Sequence, residues 1–235
     1  MKVFTVAGKE LRSYFASPLA YVVTAGFLVI TGIFFALSVI LTSEASLRFA
    51  LDNFRVILLF ITPLITMRLL AEEQATGTIE LVLTSPVRDW ELVVGKFLGA
   101  LALFGVMLAL TLYYPFLLFL YGKPDPGPIV SGYLGLVLLG AGFIALGLLT
   151  SALTKNQIVA AVLAFAILLL LWLASPIGDV FSGPVRDILR YLSALDHYSD
   201  FSRGVIDTRD VVYYLSLVVA GLFATVQVVG ARRWA

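Results

Sequence analysis

Cysteine is absent from the sequence and histidine occurs once. The first absence excludes disulfides and thiolate metal sites. The single His197 has Asp196, Asp200, Asp207 and Asp210 nearby in sequence, without the fixed spacing a metal site needs, so no metal ligand is assigned and capping or turn roles are expected for the aspartates. Charge is also scarce. Asp, Glu, Lys and Arg make up 13% of the chain, whereas soluble domains carry about a quarter. The net charge of +1 shows no basic excess, which argues against a nucleic-acid partner. No phosphate-binding loop is present either: "GKF" from Gly95 and "GKP" from Gly122 both lack the G-x-x-x-x-G-K-[ST] pattern. What the chain has in abundance is apolar surface, with 60% hydrophobic residues and a mean hydropathy of +1.01. A soluble fold of 235 residues with this composition lacks the polar side chains to cover itself. The expected class is an all-α membrane protein with one transmembrane domain over residues 1–235.

A membrane span needs about 20 mostly apolar residues. Six stretches qualify: Leu19–Leu41, Phe54–Leu70, Leu92–Tyr121, Ile129–Leu153, Ile158–Ala174 and Val211–Gly230. The first is longer than a signal-peptide core and is read as a retained span. The third exceeds what a bilayer requires and contains Pro115, so it is expected to tilt, kink or protrude. An even count puts both termini on one side. Placing them in the cytoplasm puts Lys2, Lys9, Arg12, Arg68, Arg88, Lys96, Lys155, Arg232 and Arg233 inside, against Arg48, Arg55 and Lys123 in the short outer connections. The short loops decide orientation, which favours the cytoplasmic (inner) membrane with both termini inside.

Three pieces have helical apolar spacing but do not span. Residues 1–18 place Val3, Val6, Ala7, Leu11, Tyr14 and Phe15 on one side, as an interfacial elbow helix ended by Pro18. The connector 71–91 breaks at Gly77. Thr78–Thr84 is then a short helix candidate with Ile79, Val82 and Leu83 on one face and Glu80 off it. Ser85 and Pro86 restart the chain as a helix whose stripe is Val87, Trp90, Val94, Phe97, Leu98 and Leu101. A push on the short helix is expected to move the third span. In residues 175–210, Val185, Ile188, Leu189, Leu192 and Leu195 share one face of a helix starting near Pro184, read as a re-entrant or surface segment on the outer side.

"TMRLLAEEQATGTIELVLTSPVRDWELVVGKFLGAL" (Thr66–Leu101) closely resembles the inner-face connector between spans two and three of ABC-2-type transporter permeases. It is most similar to the gliding-motility-type permease subunit and its nitrous-oxide-maturation relatives. "SALTKNQIVA" (Ser151–Ala160) and "HYSDFSRGVIDTRDVVYYL" (His197–Leu215) resemble the same subgroup. The resemblance implies a permease that pairs with a second permease copy or relative and binds an ABC ATPase. It makes Thr78, Ile79, Glu80, Leu81, Val82, Leu83 and Thr84 the coupling helix seated in the ATPase, Glu72 and Glu73 polar contacts beside it, and Pro86 and Trp90 the transmission into span three. Residues 175–210 become a re-entrant pair. ATP and Mg are bound by the partner, and this chain has no cofactor, metal or catalytic residue of its own.

Other readings of single motifs are weaker. Glu72 and Glu73 are adjacent, so on a helix they point apart and do not form a catalytic pair. Arg68, near the inner end of span two, is expected to snorkel. Gly95 and Gly99, with Gly132, Gly135, Gly140, Gly142 and Gly147, are read as packing positions within the subunit. No span centre carries a charge of the kind ion-coupled carriers use. Thr111, Tyr113 and Tyr114 are the polar candidates to line a conduit. The expected function is the permease subunit of an ATP-driven exporter. The alternatives are a force-transmitting complex without substrate passage, engaging an extracytoplasmic accessory protein, and a carrier working alone.

Overall fold

The computed structural model describes residues 2–42, 46–78 and 87–232, and those residues form helices joined by short connections, with no strand among them. The amphipathic helix α1 (Lys2–Ala16) stops at Ser17, whose hydroxyl accepts a hydrogen bond from the Leu19 amide at 3.3 Å. Pro18 opens α2 (Pro18–Thr42), because the first position of a helix needs no amide donor. Next come α3 (Arg48–Thr66) and the five-residue α4 (Ala71–Ala75). The expected break at Gly77 is present, with φ at +71°, a region that favours glycine. The helices α5 (Asp89–Thr111), α6 (Tyr113–Tyr121) and α7 (Pro126–Leu153) follow. Asp125 caps α7 through the Gly127 amide at 2.9 Å. Asn156 caps α8 (Gln157–Gly178) through the Ile158 amide at 2.9 Å. Two short helices, α9 (Pro184–Leu192) and α10 (Ala194–Ser202), precede α11 (Thr208–Arg232).

Six stretches among the described residues are long and apolar enough to cross a membrane: Pro18–Ile40, Arg48–Ala75, Asp89–Tyr121, Pro126–Leu153, Gln157–Gly178 and Thr208–Ala231. Their number and order match the expectation from hydropathy. They divide into an inner and an outer set. The second, third and fourth are 67, 61 and 67% buried within the chain, whereas the first, fifth and sixth are 22, 28 and 22% buried. The outer set leaves its apolar side chains to lipid, which is as apolar as leucine and demands no protein cover. At the centre, α7 packs against α3, α5, α8, α10 and α11.

The overlong third span is divided at Leu112, between α5 and α6. Pro115 has no amide hydrogen, so the carbonyl of Thr111, four residues earlier, loses its helical donor. Tyr133 of α7 replaces it, its hydroxyl donating to Thr111 O at 3.0 Å. Tyr114 donates to Leu28 O at 3.1 Å and lies 3.1 Å from the Thr31 hydroxyl. Thr111 and Tyr114 thus tie helices together, while Tyr113 is exposed.

Burial on the third span extends beyond the stripe of Val87, Trp90, Val94, Phe97, Leu98 and Leu101. Phe97 is buried, Val87, Leu98 and Leu101 are partly buried and pack against the core, and Trp90 is about half exposed, while Leu92, Val93, Lys96 and Ala100 are buried as well. α5 is surrounded on more than one side, so amphipathic spacing does not single out a core face. The apolar face expected across Val185 to Leu195 is split. Ser193 caps a new helix through the Asp196 amide at 3.4 Å, and Leu195 belongs to α10.

α1, the end of α3, α4, the start of α5 and the turn between α7 and α8 share one end of the bundle. Gly230, near the end of α11, lies there too, against Asp89. Both described chain ends are thus on one side. α9 and α10 occupy the opposite end, where α10 bonds to the first turns of α3 and α7 through Tyr198 and Ser131.

Candidate functional site: a polar junction beneath the connector

The end of the bundle that carries the connector is held by a small set of polar side chains. Gly95 and Gly99 let α1 lie directly on α5. A Cβ at either position would come 2.6 Å from the Cβ of Val6 or of Glu10. This G-x-x-x-G pair packs within the subunit, as expected. The close approach places Glu10 of α1 beside Lys96 of α5, with Nζ–Oε2 at 3.0 Å. The same ammonium reaches Glu73 of α4 at 3.0 Å and the Leu69 carbonyl at 2.6 Å. Lys96 is only 2% exposed, so it uses its three donors on three different segments. A buried charge held this way is costly to disturb.

Arg68 forms a second bridge. It donates to the Ser17 hydroxyl at 2.9 Å, pairs with Glu72 at 3.1 Å and lies over the ring of Tyr14. It is therefore not simply snorkelling. Tyr14 itself donates to the Ile65 carbonyl at 2.7 Å. Burial, followed by the nearby Glu10 charge, pushes the Tyr14 phenol well above its ordinary pKa, so it stays a neutral donor. A third clamp comes from α7. The Ser151 hydroxyl accepts from the Leu70 and Ala71 amides, both at 3.0 Å, and donates to Met67 O at 3.1 Å. Gln74 donates to Ala152 O at 3.0 Å. Ser151 thus satisfies the free amides at the start of α4 while Gln74 satisfies a free carbonyl at the end of α7.

Between these groups is a cavity of about 230 Å³ lined by Lys9, Glu10, Arg68, Glu72, Glu73 and Lys96, among others. Glu73 Oε2 is buried there without a hydrogen-bond partner. Glu72 and Glu73 do diverge, one toward Arg68 and the other toward Lys96. Thr78 lies at the edge of the same cavity, its hydroxyl 2.9 Å from that of Thr76. Ile79, Glu80, Leu81, Val82, Leu83, Thr84 and Pro86 lie outside the described residues. Trp90 is about half exposed on α5.

Sequence reasoning missed most of this junction. Lys96 reads as a lysine near a span end, and nothing in its spacing announces Glu10 as a partner. Ser151 and Gln74 are short polar residues at helix ends. Their role appears only when α4 meets α7. At the opposite end, His197 is stacked on Tyr213 and bonded to Asp210 at 2.6 Å. Asp210 thus pairs with the histidine, where a cap or turn was expected, whereas Asp207 does make a turn by accepting from the Arg209 amide at 2.8 Å. Among the described residues no group of three or more His, Asp or Glu is placed to hold a metal.

Six apolar stretches, with the buried, hydrogen-bonded α7 at their centre, define a multi-pass helical membrane protein of the transporter-permease class. Residues 42–194 match the profile of the ABC-2 family transporter proteins, and the chain belongs to that family. It is similar to the probable multidrug ABC transporter permease YbhR of Escherichia coli strain K12 and to the YbhR of E. coli O157:H7. Each is 25% identical over 146 residues, covering 60% of this chain and 39% of the relative. The match thus takes in less than half the length of these relatives.

Proposed function

We propose that the chain is the membrane-spanning permease subunit of an ATP-driven exporter of the gliding-motility and nitrous-oxide-maturation type. A separate ABC ATPase binds ATP and Mg and grips residues 78–84, and a second permease copy or relative completes the membrane assembly. The termini and the connector face the cytoplasm at the inner membrane. α1 acts as the elbow helix, and α9 and α10 form the re-entrant pair.

The observation that carries this reading is the position of Lys96. The residues just before the proposed coupling helix are clamped to α7 by Ser151 and Gln74, and to α1 and α5 by Lys96. A displacement of the connector therefore reaches three helices without slack. Glu72 keeps a half-exposed carboxylate for the ATPase, while Glu73 faces inward and acts through Lys96. The lack of a phosphate loop in the sequence fits an ATPase on another chain.

The test replaces Leu81, Val82 and Leu83 by Asp in the full chain, expressed with its native partners. Co-purification of an ATPase is expected to be lost while membrane insertion is kept. An ATPase that still co-purifies refutes the docking assignment. A force-transmitting role without substrate passage is favoured by one feature. α9 buries none of its residues and exposes Val185, Ile188 and Tyr191 at the far end, where an accessory protein would sit.

A further inference from the structure

The N-terminal helix α1 divides into three faces. Val6, Glu10 and Tyr14 point into the bundle: the first two meet Gly95 and Gly99, and Tyr14 is buried. Phe4 and Phe15, about three turns apart, fall on a second line and stay exposed, Phe4 at 76%. Lys2, Lys9 and Arg12 fall on a third line, and all are exposed. The helix has one acid, Glu10, and it is turned inward to Lys96. The outward surface of α1 is therefore aromatic along one line and cationic along the next. Its charges are not consumed within the protein. Among the described residues, Lys9 and Arg12 enter no ion pair. The carboxylates of the neighbouring junction are engaged by others, Glu10 and Glu73 by Lys96 and Glu72 by Arg68.

A second observation is where this surface stands. Only Ser17 separates α1 from α2, whose residues from Pro18 to Ile40 form the first span. The Phe15 ring meets that of Tyr21 edge to face at 6.3 Å. The aromatic line of α1 thus runs on into the outward side of α2, where Tyr21 and Val22 are exposed. Along a helix, Arg12 is at most about 9 Å and Lys9 about 14 Å from Pro18. The headgroup layer is about 5–7 Å deep on each side of the bilayer, and its potential extends about 8 Å further at physiological salt. Both charges stand inside the field of the lipid surface.

We propose that this face of α1 gathers anionic phospholipid, with Phe15 and Tyr21 at the acyl boundary and Lys9 and Arg12 on the phosphate headgroups. The inference rests on the elbow-helix reading, in which α1 stands at the membrane surface, and adds the class of lipid. A helix with aromatic and basic faces takes this position on a bilayer. Each basic residue near a negative surface strengthens the attraction about fivefold. A protein with an acidic surface would match the charges, but not the exposed rings that continue into the first span.

The test uses the absence of cysteine. Gly8→Cys gives a single labelling site on the outward side of α1, where a Cβ meets nothing within 4 Å. A bimane label there is read in nanodiscs of phosphatidylcholine and phosphatidylglycerol, with brominated chains on one lipid or the other at equal mole fraction. The full chain is used without any ATPase, so the result is independent of docking at residues 78–84. Brominated phosphatidylglycerol is expected to quench more than brominated phosphatidylcholine. Lys9→Gln combined with Arg12→Gln lowers that preference about fivefold or more. Lys155→Gln, at an exposed lysine between α7 and α8, leaves it unchanged. Equal quenching by the two lipids, or a double variant that keeps the parent's preference, overturns the lipid class and leaves α1 at the membrane surface. An equal loss in Lys155→Gln makes the attraction one of the whole surface and overturns the assignment to α1. No quenching by either lipid is the outcome for a face reserved for a protein, and it overturns the elbow reading as well.

Discussion

The ammonium of Lys96 lies 3.0 Å from the carboxylate of Glu10, although 86 positions separate them in the chain. That contact fixes the N-terminal helix to the third span. It exists because two glycines one helical turn apart on α5 let α1 come within touching distance. The same lysine holds Glu73, so the segment leading to the proposed coupling helix shares one charge with both helices.

Removing that charge strands two carboxylates in a buried site. Lys96→Met is expected to destabilise the chain by about 3–5 kcal/mol. The triple variant with Glu10→Gln and Glu73→Gln removes the stranded charges and is expected to recover most of the loss. Denaturant unfolding in mild detergent measures both. A triple variant no more stable than Lys96→Met would show that the ion pairs are not the reason for the effect.

Gly95→Val and Gly99→Val push Val6 and Glu10 away, because a Cβ there meets side chain at 2.6 Å. Each is expected to cost about 1–3 kcal/mol through overpacking. Gly105→Val, where a Cβ meets nothing within 4 Å, is the control and should cost far less. Equal losses at all three positions would mean helix propensity, not the α1 contact, governs this face.

Tyr133→Phe removes the donor to the Thr111 carbonyl that Pro115 leaves free. The expected cost is about 1–3 kcal/mol for an unsatisfied buried acceptor. Pro115→Ala restores an amide at the helical position, so the same Tyr133→Phe change should cost less in that background. A double-mutant cycle of unfolding free energies checks this; additive losses would contradict the exchange of donors.

Asp179 fixes α9 to the end of α8 through Arg190, at 2.6 Å, and Arg186. The hydrogen bond from Arg190 holds its carboxyl below the ordinary carboxylate range. A group depressed in the folded state stabilises above its unfolded pKa, about 3.9, and loses that contribution as pH falls through the lowered value. Amide hydrogen exchange of residues 184–192 is therefore expected to be slow at neutral pH and to rise, relative to a fixed-pH reference peptide, only in strong acid. Asp179→Asn should show the faster exchange already at neutral pH. If parent and variant exchange alike at neutral pH, the pair does not hold α9.

The class of the protein was legible in composition, because an apolar excess of this size has only a bilayer to face. The number and order of spans followed from run length. Helix boundaries followed from local chemistry at Pro18, Gly77 and Pro184, since caps and breaks depend on a residue and its nearest neighbours. Membership of the ABC-2 family was legible in the motif between Thr66 and Leu101.

Tertiary structure decided the rest. Which face of α5 is buried depends on how many helices surround it, and period alone does not count neighbours. Lys96 became the centre of the junction only when α1 and α4 brought carboxylates to it. His197 meets Asp210 because α10 turns back onto α11. A span is set by the hydropathy of consecutive residues, whereas a buried charge is set by partners far away in the chain, and only packing brings those together.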